Sequence, residues 1–197
     1  MADDTNAKIV KTEEYKQTTA LMRPVVRAAE LVDLHKEVAE MCRAALVEGT
    51  DYGVIPGTDR SGKKALLKAG AERLSVAFGV YPRYAIVSSE VDHDREIAYT
   101  KRKKIWTNNK PSWSEEAGST RGLYRYVIRC ELVSRATGAV VADSIASCSS
   151  LESKYIDRPR DSENTVVKMA QKRAFVSAVL NGFGLSDRFT LDADEHD

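Results

Sequence analysis

The stretch Leu123 to Val133 constrains this chain more than any other. There Tyr124, Tyr126, Ile128, Cys130 and Leu132 alternate with Arg125, Arg129 and Glu131. Successive side chains of a strand point to opposite faces, so this pattern describes a strand with one face in a core and one in water. Such a strand belongs to an antiparallel sheet with a single covered face. Ala136, Thr137 and Gly138 make a tight turn, after which Ala139 to Ser147 returns as hairpin partner. Upstream, Tyr84, Ile86 and Val87 sit in one candidate strand and Ile97 to Trp106 form another. The polar stretch Thr107 to Gly122 reads as a loop, long for a hairpin and of the kind that carries function.

Helical periodicity frames these strands. Leu31, Leu34, Val38, Met41, Ala45 and Leu46 recur at spacings of three and four between Pro24 and Glu48. Pro24 suits a first turn, and Gly49 the position just past the end. A short helix is expected from Ala69 to Phe78, closed by Gly79. A last helix runs from Glu163 to about Phe183, with Val166, Val167, Ala170, Ala174, Ala178 and Val179 as its apolar residues. The expected fold class is α+β: an antiparallel sheet of about four strands, a long C-terminal helix packed on it, and an N-terminal helix. Residues 1–20 read as a loose polar segment, 21–188 as a single domain, and 189–197 as an acidic tail.

Several function classes are excluded early. With 43% hydrophobic and 30% charged residues the chain can bury a core, which wholesale disorder does not allow. No run approaches 18 uninterrupted apolar residues, and Met1 to Thr5 lacks a signal-peptide profile. Cys42, Cys130 and Cys148 are odd in number and widely spaced, which speaks against a disulfide framework. The plain reading is a reduced, cytoplasmic protein. His35, His93 and His196 do not cluster and no cysteine pair has ligand spacing, so no metal is expected. Nothing resembles a nucleophile elbow, so no catalytic residue is assigned.

One motif invites a nucleotide. Gly57 to Lys64, GTDRSGKK, matches the first seven positions of the phosphate-binding loop G-x-x-x-x-G-K-[ST]. Its eighth position is Lys64, so the hydroxyl that would hold Mg²⁺ is missing. The following Ala65-Leu66-Leu67 looks extended, which leaves no helix N-terminus to receive phosphate. A nucleotide-dependent enzyme using this loop remains as the alternative reading.

The net charge of +1 conceals a segregation. Between Arg60 and Arg173, 22 Lys/Arg stand against 13 Asp/Glu; the remainder holds 8 basic and 16 acidic residues. A basic body is thus flanked by an acidic head and tail, a pattern that suits a polyanionic partner. A basic scaffold or inhibitor that meets an acidic protein is a second alternative. Lys101-Arg102-Lys103-Lys104 precedes Ile105-Trp106, and in a strand only two of those four cations can line one surface. Trp106, Trp113, Tyr124 and Tyr126 are interleaved with Arg121 and Arg125. Cations that track phosphates beside rings that stack bases are what single-stranded nucleic acid requires. Of the tyrosines, Tyr126 is the first candidate for the core.

The last helix carries a resemblance. Asn164 to Val179, NTVVKMAQKRAFVSAV, resembles the hallmark helix of single-strand annealing proteins: RecT, Red-beta and the eukaryotic Rad-type annealing proteins. In the Rad-type proteins a comparable helix follows a β-hairpin sheet and carries a Lys-Arg-Ala step whose cations contact DNA. Here the matching residues are Lys172, Arg173 and Ala174. Leu67 to Leu74, LKAGAERL, is similar to a short helix of RecT that feeds into the strands, and the order of elements agrees over about residues 50–190. Independently, Lys168 and Lys172 are four apart and share a helix face, with Arg173 adjacent.

The resemblance implies a recombinase of phage or mobile-element type. It would bind single-stranded DNA and anneal complements in recombination and repair without ATP, cofactor or catalysis. It also implies assembly into rings or filaments, beside an exonuclease or a single-strand-binding protein. Lys172, Arg173 and Lys168 would hold phosphates, helped by Arg102, Lys104, Arg121 and Arg125, while Trp106 and Tyr124 stack bases or wedge the strand. The tail, with Asp192, Asp194, Glu195 and Asp197, would occupy the basic groove in the absence of DNA or recruit a partner.

Overall fold

A computed structural model describes residues 24–55, 64–107 and 110–190. The chain divides into two compact units, Met1–Val38 and Ala39–Asp197. Helix α1, Ala28–Ala45, crosses the boundary between them. In the first unit Glu30 reaches back to the Arg27 N–H (3.1 Å), the carboxylate half of a capping box, and starts the helix four residues after Pro24.

The second unit holds two three-stranded sheets. The larger is built from β3 (Val80–Thr107), β4 (Lys110–Ser134) and β5 (Val140–Ser149), in that order and antiparallel throughout. Helix α3, Pro159–Gly182, covers one face. The expected alternation holds: Ile128, Cys130 and Leu132 are buried under α3, while Arg129 and Glu131 lie on the other face, paired across strands with Asp143 and Arg83. Val166, Ala170, Ala174 and Ala178 are fully buried, as their spacing requires. The alanines let α3 sit close to β5, where a Cβ on Gly182 would come within 2.7 Å of the Ala142 Cβ. Each large apolar side chain buried in this layer, such as Phe175 or Leu180, contributes roughly 1.5–3 kcal/mol.

The smaller sheet joins β1 (Tyr52–Gly53), β2 (Lys64–Leu66) and β6 (Phe189–Thr190), with β2 antiparallel to β1 and parallel to β6. Helix α2 spans Lys68–Ala77 and is closed by Gly79 at φ +66°, as its sequence position implies. Asp51 knits this region together. Its fully buried carboxylate accepts the Val47 N–H through Oδ2 (2.8 Å), and Arg73 Nε lies 3.1 Å from Oδ1 in an ion pair without hydrogen-bond alignment. Its main-chain carbonyl accepts the Leu67 N–H (2.9 Å) and lies directly under Gly70.

Three expectations are corrected. The separate strands at Tyr84–Val87 and Ile97–Trp106 are one element, β3, so the main sheet has three strands and not four. Most of the stretch read as a loop, Thr107 to Gly122, is strand: β4 begins at Lys110. The last helix starts at Pro159, four residues before Glu163, because a proline is already shaped for the first helical turn.

Candidate nucleic-acid interface

Where β3 and β4 leave the covered part of the sheet, an elbow forms. Asp92 pairs with Leu123 and Glu96 with Arg121, so His93, Asp94 and Arg95 stand against Gly122 alone. Asp92 Oδ1 accepts the N–H groups of Asp94 and Arg95, Gly122 adopts φ +114°, and Arg160 Nη2 donates to the His93 carbonyl (3.0 Å). Beyond the elbow, Glu96–Thr107 and Lys110–Arg121 continue as a two-stranded ribbon, about 35–40 Å long at the usual strand rise. Tyr99 lies across Gly118, whose Cβ, if present, would be 2.7 Å from the Tyr99 ring.

Register fixes which side chains share a face. Arg102, Lys104 and Trp106 project to one side, opposite Glu115, Trp113 and Pro111 respectively. Trp106 is 62% exposed and Trp113 67%, and Lys104 Nζ sits 4.8 Å from the Trp106 ring centroid. Arg102 pairs with Glu115 (3.3 Å). Arg121 belongs to the same face at the base of the ribbon, bound to Glu96 at 2.8 Å; that hydrogen bond and the Glu96 charge raise its pKa. The opposite face carries Lys101, Lys103, Ile105, Lys110, Ser112 and Ser114.

The remaining expected site residues fall elsewhere. Arg125 is exposed on the main sheet, opposite Glu90 and Ser149. Tyr124 is only 2% exposed, and its hydroxyl is 2.9 Å from His93 Nδ1. Its ring has no free side to offer a base, so its expected stacking role is corrected to a core role. Tyr126, the expected core residue, is half-buried with its hydroxyl donating to Glu163 (3.0 Å).

On α3, Lys168 is exposed and Lys172 half-buried. Arg173 is held in place: Nη1 and Nη2 make a two-pronged contact with Glu152 (2.7 and 2.9 Å), and Nη1 also donates to the Ser147 carbonyl (2.9 Å). Burial would raise the Glu152 pKa, but hydrogen bonds from Arg173 and Cys148, the Arg173 charge and the Ser149 N–H outweigh it and hold the carboxyl at about 2. Arg173 therefore anchors the turn segment after β5, which leads on to Asp157 and its ion pair with Lys101 on the ribbon (3.4 Å).

Sequence reasoning missed Glu152 and Lys110, noted Lys103 only as part of the cationic run, and left Trp113 out of the site. Trp113 was within reach, since a tryptophan in a polar stretch beside Lys110 is itself a signal. Glu152 was not, because its partner lies 21 residues away and only the fold joins them.

No group of three or more His, Cys, Asp or Glu that could hold a metal occurs among the described residues. Cys42, Cys130 and Cys148 are buried; burial raises the pKa of all three, to about 12 for the last two. The segment expected to resemble a phosphate loop falls largely on residues 56–63, outside the described residues, as does the acidic tail from residue 191. Lys64 opens β2, so the chain after that loop is extended as expected; its Nζ pairs with Glu48 at 2.6 Å. No helix among the described residues is long and apolar enough to cross a membrane. Comparison with family models, with curated proteins and with solved structures finds no match to this chain.

Proposed function

We propose that this protein binds single-stranded DNA and promotes the annealing of complementary strands in recombination or repair, without nucleotide hydrolysis and as a homo-oligomer. One observation carries the reading: two indoles, each more than 60% exposed, share a ribbon face with Lys104 and Arg102. Exposed tryptophan is costly on a surface that meets only water, and an indole beside a cation is the pairing that stacks a base while holding its phosphate. The resemblance of α3 to the annealing helix and the basic body point the same way. Lys168 and Lys172 extend the cationic surface on α3, while Arg173 acts through the segment it anchors. A ligand held by its backbone and by transient stacking leaves base edges open to a second strand.

The double substitution Arg102→Ala with Lys104→Ala tests this. Both side chains are exposed, so stability changes by only about 1 kcal/mol or less. Affinity for a single-stranded oligonucleotide at low salt falls about tenfold, and the slope of log affinity against log salt falls by about 1.4, from ~0.7 per phosphate contact. An unchanged slope in fluorescence anisotropy titrations removes this face from the site.

A further inference from the structure

The cations of the ribbon fall into two groups. Toward the body each is matched by a carboxylate: Arg102 by Glu115 (3.3 Å), Arg121 by Glu96 (2.8 Å) and, on the opposite face, Lys101 by Asp157 (3.4 Å). Toward the turn no acid follows: residues 103–114 contain none, and Lys104 lies over the Trp106 ring instead. Register puts both arginine pairs on the indole face, Glu96–Arg121 at its base and Arg102–Glu115 about 20 Å further at the usual strand rise. Between them that face carries only Ala98, Thr100, Ala117 and Ser119, all exposed. A strand seated against the indoles therefore meets an open, shallow track that leads past two guanidiniums, each already holding an anion.

We propose that Glu115 and Glu96 stand in for phosphate: they hold Arg102 and Arg121 in the free protein, and a single strand captured at the indoles displaces them in turn, from the ribbon's turn to its base. The inference rests on reading the ribbon as the single-strand site, and adds how that site is kept closed to other anions. The four side chains are 56–75% exposed. Pairs so exposed are weak, worth about threefold each in an equilibrium constant, so a modest competitor displaces them. Polyvalency selects the competitor. A phosphate within a strand releases a condensed counterion when it is neutralised. Once the indoles and Lys104 hold one end, the next phosphates also stand at high effective concentration. An isolated anion has neither advantage over a carboxylate tethered opposite the arginine. The face thus answers to a polynucleotide and not to a mononucleotide or inorganic phosphate.

Glu96→Gln with Glu115→Gln, in the full chain, raises affinity for a single-stranded oligonucleotide about tenfold in anisotropy titrations. At a salt concentration of about 0.15 M, screening acts over about 8 Å, so distant charges contribute little to that gain. Glu116→Gln removes the same charge one residue away on the opposite face, and changes affinity less than about 1.5-fold. With Arg102→Ala and Arg121→Ala in place, the two glutamines gain less than about twofold, because no arginine is left to release. Unchanged or lower affinity in the glutamine pair would mean that the carboxylates position the arginines and do not compete for them. That result overturns the proposal and leaves the proposed function standing. So does an equal gain from Glu116→Gln, or a gain that survives the loss of both arginines. A parent that binds no single strand removes the proposed function, and this inference with it. All the substituted side chains are exposed, so each variant melts with the parent.

Discussion

Glu152→Gln lowers the melting temperature by about 5–10 °C at pH 7, which corresponds to roughly 2–3 kcal/mol for a chain of this size. The substitution removes the charge that faces the Arg173 guanidinium, which is only 17% exposed and also donates to the Ser147 carbonyl. The folded carboxyl titrates at about 2 against an ordinary value of 4.5. Its contribution of roughly 3 kcal/mol is therefore fully present above about pH 4.5 and disappears as the pH falls to 2. The parent loses stability steeply through that window and the glutamine variant less so. Thermal melts from pH 7 to pH 2 check both statements, and a variant that melts within about 1 °C of the parent at pH 7 would show that the pair contributes nothing. The same variant frees the segment that carries Asp157, so the ribbon loses the footing that the Asp157–Lys101 pair provides.

Gly70→Ala destabilises the protein by about 2–3 kcal/mol, although the substitution taken alone favours a helix by about 1 kcal/mol. Gly70 lies in the first turn of α2, directly over the Asp51 carbonyl, and a Cβ there would also come within 2.8 Å of Leu66 Cδ1. Backbone cannot yield as a flexible side chain does, so the clash exceeds the gain in propensity. A melting temperature lowered by about 5 °C or more is expected. A raised one, as for an open helical glycine, would mean that α2 does not lie against Asp51.

The elements that could be read from the sequence are those that bury one face locally. The alternation in β4, the alanine spacing in α3 and the glycines at 79 and 138 each report a neighbour or a turn within reach. Half of the ribbon escaped: Ile97 to Trp106 reads as a strand, but Lys110 to Arg121 buries neither face and has no period-two contrast, and its polar residues with Pro111 mimic a loop. The small sheet escaped because its strands of two or three residues pair over long separations, as Lys64 does with Phe189. In the site, parity placed Tyr124 and Tyr126 on one face but could not say which lies deeper. The depth is set by His93 at the elbow and by Ser150, whose Oγ accepts the Tyr124 N–H. Arg173 looked like a phosphate contact because its partner Glu152 is remote in sequence.

The most direct test is fluorescence anisotropy of a labelled single-stranded oligonucleotide with the full chain, without nucleotide, across a salt series and with unlabelled duplex as competitor. The account predicts binding at low salt that weakens steeply and log-linearly as salt rises, as expected when several phosphates are neutralised. Absence of binding at low salt, or binding insensitive to salt, would contradict it.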